Sequence, residues 1–124
     1  MSRCSDDHSD TCVVQIVDSD AVARVLGVQP SEHHVRTIAG IFAALSDATR
    51  LRILLALSRE QLCVCDLAAV TGVSASAVSH QLRVLRDRDL VTFERDGKRA
   101  IYRLADDHVA TLLAQGREHA EEQS

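Results

Sequence analysis

The chain has 124 residues, is 46% hydrophobic but only 2% aromatic, holds four cysteines and carries a formal net charge of −4. That length suits one domain with a core of Leu, Val, Ile and Ala, a composition that favours packed helices. Nothing in it reads as a signal peptide or a membrane span, so membrane functions are excluded and a soluble, cytoplasmic protein is expected.

Residues 1–17 are polar, acidic and thiol-bearing, with no clear period. Residues 1–30 therefore read as a flexible arm with room for one short helix over 20–26, stopped by Gly27. Residues 31–124 form the folded domain. Pro30 punctuates the chain and Ser31 can cap a helix in which Val35, Ile38, Ile41, Phe42 and Leu45 recur on one apolar face. Ser46 or Asp47 caps the next helix, with Ala48, Leu51, Leu54 and Leu55 as its stripe. Residues 63–71 predict a short helix ended by Gly72. Ser74 caps another that runs to about residue 87, with Val78, Leu82 and Leu85 facing inward. Two such helices around a tight turn form a helix-turn-helix pattern. Asp96-Gly97 between two β-prone runs signals a hairpin, and Asp106 opens a last helix reaching about Glu121. The expected fold is mainly α with a β-hairpin wing, a winged helix-turn-helix.

A helix that enters the major groove needs short polar side chains near its start and basic groups close by for phosphates. Ser74, Ser76, Ser79, His80, Gln81 and Arg83 supply these, and Gln can pair bidentately with adenine. Lys98 and Arg99 at the hairpin tip suit a wing on the DNA backbone. The total charge is negative, but residues 74–103 hold seven basic residues against four acids, and a local basic face matters more for phosphate contact than the sum.

Four thiols in a cytosolic chain point to metal or redox chemistry rather than structural disulfides. Cys63 and Cys65 open a predicted helix. Two residues apart, they diverge by about 200° in mid-helix. In the first turn, with Cys63 near the cap, both can turn to one ion, and the helix N-terminus favours thiolate. Two thiolates do not complete a tetrahedral site. The arm offers Cys4 and Cys12, with His8 between them.

Four ordered motifs carry a family resemblance: LSDATRLRIL over 45–54, LCVCDL over 62–67, SASAVSHQL over 74–82 and GKRAIYRL over 97–104. The stretch from Ser31 to Glu122 resembles the ArsR/SmtB family of metalloregulatory repressors. The resemblance implies a homodimer whose first and last helices form the interface. It also implies that metal binding weakens the grip on operator double-stranded DNA and turns on efflux or sequestration genes. The cysteine pattern is similar to that of cadmium-, lead- and zinc-responsive members, in which paired and N-terminal cysteines join, here with the arm reaching the partner subunit. The effector is then Cd(II), Pb(II) or Zn(II), with no organic cofactor. Cys4 and Cys12 stand eight residues apart, wider than this pattern suggests, so either both ligate or one does with His8. Arsenite sensing usually needs a third cysteine just after the pair, where this chain has Leu67, Ala68 and Ala69.

The resemblance also assigns Asp106, His108, His119 and Glu122 to the family's zinc positions in the last helix. His108 and His119 share a helical face but lie about 16 Å apart along the axis. One ion cannot join them within one chain. Two antiparallel copies of the helix would create two equivalent N/O sites across a twofold axis. Three alternatives stay open: a thiol-redox-responsive repressor of the same fold, an As(III)-responsive one, and a metal-buffering module without DNA function. No nucleophile–base constellation or phosphate loop is visible, so an enzyme is not expected.

Overall fold

The computed structural model describes residues 17–123. The chain divides between Val35 and Arg36 into two units. The first holds α1 (Ser19–Leu26) and the opening of α2 (Glu32–Leu45). Asp18 caps α1, its Oδ1 accepting from Ala21 N at 3.0 Å. Gly27 closes α1 in a right-handed conformation, so it acts there by weak helix propensity and not by a left-handed cap. Ser31 serves α2 as expected, its Oγ accepting from His34 N at 3.1 Å.

The second unit holds the rest of α2, then α3 (Ala48–Leu57), β1 (Leu62–Cys63), α4 (Val64–Thr71), α5 (Ala75–Asp87), β2 (Val91–Asp96), β3 (Arg99–Leu104) and α6 (Asp107–Glu122). Local chemistry sets these boundaries. Asp47 rather than Ser46 caps α3, with Arg50 N donating to its Oδ2 at 3.0 Å. Ser74 caps α5 through Ala77 N at 3.1 Å, and Asp106 caps α6 through Val109 N at 3.1 Å. Gly72 ends α4 at φ 78°, a left-handed turn that glycine adopts without steric cost.

The core lies where α3, α4, α5 and the sheet meet. Ile53, Leu54, Leu67, Val78, Leu82 and Leu85 have no accessible surface. Ile53 is fully buried although the stripe read for α3 passes it by, because α3 is covered on more than one side and a single-stripe pattern undercounts it. The apolar face read on α2 differs in the other direction. In this unit only Ala44 of α2 is buried, while Ile38 and Phe42 stand 45% and 52% exposed.

The sheet is antiparallel in the order β1-β3-β2, with Cys63 opposite Ile101 and Phe93 opposite Tyr102. β1 was not anticipated, since two residues are too few to show a period. The hairpin differs by one residue from expectation. Asp96 pairs with Arg99, so the two-residue loop is Gly97-Lys98 rather than Asp96-Gly97. Positive φ falls on Gly97 (65°) and not on Lys98, the sign pattern of a type II′ turn, which needs glycine only at its first position.

Candidate functional site

The reading helix is built as an amphipathic cylinder. Val78, Leu82 and Leu85 lock one side into the core. Ser76, Ser79, His80 and Arg83 recur at intervals of three and four, so they form one stripe, and all four are exposed. Ser74 and Ser76 hydroxyls lie 3.2 Å apart at the helix start. This places short polar groups and the helix N-terminus on the side turned away from the core.

Gln81 sits elsewhere. At 100° per residue it lies about 140° round the helix from Ser76, beside the buried stripe. It is half-buried, and its Oε1 accepts from Arg50 Nη1 at 3.0 Å. Arg50 also donates from Nε to Ala44 O at 2.9 Å. Sequence reasoning missed Arg50, whose long side chain gives no periodic signal.

The wing follows at once. Arg86, in the last turn of α5, lies 4.9 Å over the Phe93 ring, and Phe93 stacks against Tyr102 at 5.2 Å. The reading helix and the hairpin are thereby joined. Lys98 and Arg99 are exposed at the tip, where Arg95 Nη1 donates to Lys98 O at 3.3 Å. Arg99 lies 3.9 Å from Asp96, an exposed pair of little energetic weight.

The two cysteines occupy different environments at the start of α4. Cys63 is the N-cap and is buried, while Cys65 lies in the first turn and is exposed. Cys63 donates from Sγ and from its backbone N to the same Asp66 oxygen, both at 3.2 Å. These two bonds, the thiol's first, hold the Asp66 carboxyl below the ordinary carboxylate range. Cys4 and Cys12 lie outside the described residues.

At the last helix, Asp106 and His108 come together, Nδ1 of His108 lying 3.6 Å from Asp106 Oδ1. His119 and Glu122 lie at the far end, where His119 Nε2 is 3.0 Å from Gln123 Nε2. Among the described residues, no three His, Cys, Asp or Glu side chains converge on one point that could hold a metal ion. The two ends of α6 stay apart within one chain, as helical rise requires. Beside this helix an apolar groove of about 520 Å³ runs between α2, α3 and α6, lined by Phe42, Leu45, Leu51, Leu55, Leu112 and Leu113.

A helix-turn-helix with an exposed polar reading face, followed directly by a basic antiparallel hairpin, defines the class: a winged helix-turn-helix of the DNA-binding kind. The family described as bacterial regulatory protein, arsR family, matches residues 47–92, which span α3 to the start of β2. The transcriptional repressor SmtB homolog of Synechocystis is 42% identical over 119 residues, covering 96% of this chain and 90% of that protein. The cadmium resistance transcriptional regulatory protein CadC homolog of Staphylococcus aureus is 35% identical over 114 residues, covering 91% and 93%. Among solved structures, the homodimeric winged helix-turn-helix DNA-binding domain of a possible ArsR-family regulator from Mycobacterium bovis aligns with a TM-score of 0.69 at 31% identity, covering 77% of this chain and 91% of that one. The chain belongs to the arsR family of bacterial transcription regulators. No helix among the described residues is long and apolar enough to cross a membrane.

Proposed function

We propose that this chain is a cytoplasmic metal-responsive repressor that binds operator DNA as a homodimer and lets go when Cd(II), Pb(II) or Zn(II) binds. One observation carries the reading: the paired cysteines stand at the start of α4, the helix that leads into the reading helix. A strain imposed at Cys63 and Cys65 is felt by α5 through a three-residue turn. The SmtB and CadC homologues, named as a repressor and a cadmium resistance regulator, support the same reading.

Residues 1–30 act as the arm and 31–124 as the DNA-binding and dimerisation domain. Cys63 and Cys65 would hold the cation, with Cys4 and Cys12 completing the set. The donor chemistry fits, since four thiolates suit a soft, tetrahedral ion. A bound cation supplies a cross-link between the arm and α4. Asp66 accepts the Cys63 thiol, keeping that sulfur oriented at the helix start. Asp106, His108, His119 and Glu122 form the second candidate set, each half drawn from a different copy of α6. The exposed Ile38 and Phe42 and the groove beside α6 support pairing through α2 and α6, because apolar surface of this kind is covered in a stable protein. Ser74, Ser76, Ser79, His80 and Arg83 face the groove of DNA, and Lys98 and Arg99 its backbone.

The test is a release titration. The dimer–DNA complex is followed by gel shift while Zn(II), Cd(II), Pb(II) and As(III) are added to the parent, Cys63→Ser and His119→Ala proteins, all fully reduced. Release by a soft divalent ion, lost in Cys63→Ser and accompanied by a thiolate charge-transfer band, is expected. Retention of DNA by the metal-loaded parent would overturn the reading. Release by an oxidant alone would assign the thiols to redox sensing.

A further inference from the structure

We propose that Gln81 is a positioning residue that fixes the rotation of α5 through Arg50, and that it does not read a base. The proposal rests on the reading of α5 as the helix that contacts DNA.

Arg50 is held from three directions. Its backbone N donates to the Asp47 cap at 3.0 Å. Its Nε donates to Ala44 O at 2.9 Å, one of the last carbonyls of α2, which have no partner inside their own helix. Its Nη1 donates to Gln81 Oε1 at 3.0 Å. One guanidinium therefore joins the end of α2, the start of α3 and the middle of α5. The fork of a guanidinium is rigid, so satisfying two acceptors at once fixes their relative placement.

The amide oxygen has two lone pairs, so it is the direction of this bond, back towards Arg50 at the start of α3, that draws Gln81 away from a base. A bidentate pair with adenine uses the amide oxygen and nitrogen together. The oxygen here must face Arg50, since a guanidinium only donates and the amide nitrogen cannot accept from it. Turning Gln81 towards DNA would leave a half-buried guanidinium N–H without its acceptor. Its position beside the buried stripe agrees, for the exposed stripe of Ser76, Ser79, His80 and Arg83 lies well round the helix.

The experiment compares Gln81→Ala and Gln81→Glu with the parent. The probes are a duplex that the parent selects from randomised DNA and every single-base-pair variant of it, with Kd read by fluorescence anisotropy. A positioning role predicts that Gln81→Ala weakens binding by about tenfold on all duplexes alike, leaving the ratios between them unchanged. It also predicts that Gln81→Glu restores binding close to the parent's, because a carboxylate accepts from Arg50 at least as well as an amide. Loss of discrimination at one base pair in Gln81→Ala would overturn the proposal. So would unchanged affinity in Gln81→Ala, or Gln81→Glu binding worse than Gln81→Ala. If circular dichroism shows Gln81→Ala unfolded, Gln81→Glu decides alone: parent-like ratios and affinity support the proposal, and their loss overturns it. A parent that selects no sequence would refute the DNA reading beneath it, a failure visible before any substitution is made.

Discussion

Replacing Lys98 by Ala probes the wing with a magnitude that follows from its place in the hairpin. Lys98 is the second residue of the Gly97-Lys98 loop and is exposed, and positive φ falls on Gly97 instead. Alanine therefore fits the loop without strain, and folding stability should stay within about 0.5 kcal/mol of the parent's. If each wing of a dimer touches one phosphate through Lys98, the variant loses two contacts. The slope of log K against log salt should then shrink by about 0.9 per phosphate, or about 1.8 for the dimer. Between about 50 and 200 mM salt this makes the parent lose about tenfold more affinity than the variant. Anisotropy titrations on one duplex across that salt range read the slope directly. An unchanged slope with intact folding would show that the hairpin tip does not touch DNA.

Leu82→Ala removes a side chain with no accessible surface from the centre of α5, and should cost about 2–5 kcal/mol, read as a lower urea midpoint with an unchanged slope. Asp66→Asn tests the helix-start contact through pH. The Asp66 carboxyl is held below its unfolded value of 3.8, so the stability it supplies is complete above that value and lost as pH falls through the lower folded one. The parent should lose stability more steeply than Asp66→Asn as pH falls below 3.8, and parallel curves would refute the contact. Two glycines should respond with opposite sign. A Cβ at Gly72 meets open space but at φ 78°, so Gly72→Ala should destabilise by about 1 kcal/mol. A Cβ at Gly40 collides only with the end of the exposed Arg88 side chain, which can swing away, so Gly40→Ala in mid-helix should stabilise by up to about 1 kcal/mol. Thermal melts of the pair decide.

Capping residues made the helix starts legible. Asp47, Ser74 and Asp106 each announce a break in regular structure, and each accepts a backbone N–H where expected. The inward stripe of α5 was equally plain, because three apolar residues at helical spacing admit one geometry. The face of α2 was legible as apolar, yet Ile38 and Phe42 stand exposed, since periodicity records that a face is apolar and not that this chain buries it. Gln81 was assigned by residue type. Its angle relative to Val78 and Leu82 was already present in the sequence and would have placed it beside the core. Arg50 was out of reach, because a bond spanning 31 residues leaves no local trace. The candidate thiolate site was half legible. The spacing located Cys63 and Cys65 at a helix start, but not that one would be buried and the other exposed, which depends on the unforeseen strand β1.

That strand gives Cys63 a double allegiance. The residue is rung partner to Ile101 in the middle strand of the sheet and also the anchor post of α4. Ile101 lies two residues from Arg99, where the hairpin turns, and α4 leads into α5, so Cys63 is connected through the backbone to both. One residue thus stands at the junction of the wing sheet and the helix pair, the two parts of the fold through which such a protein would hold a duplex.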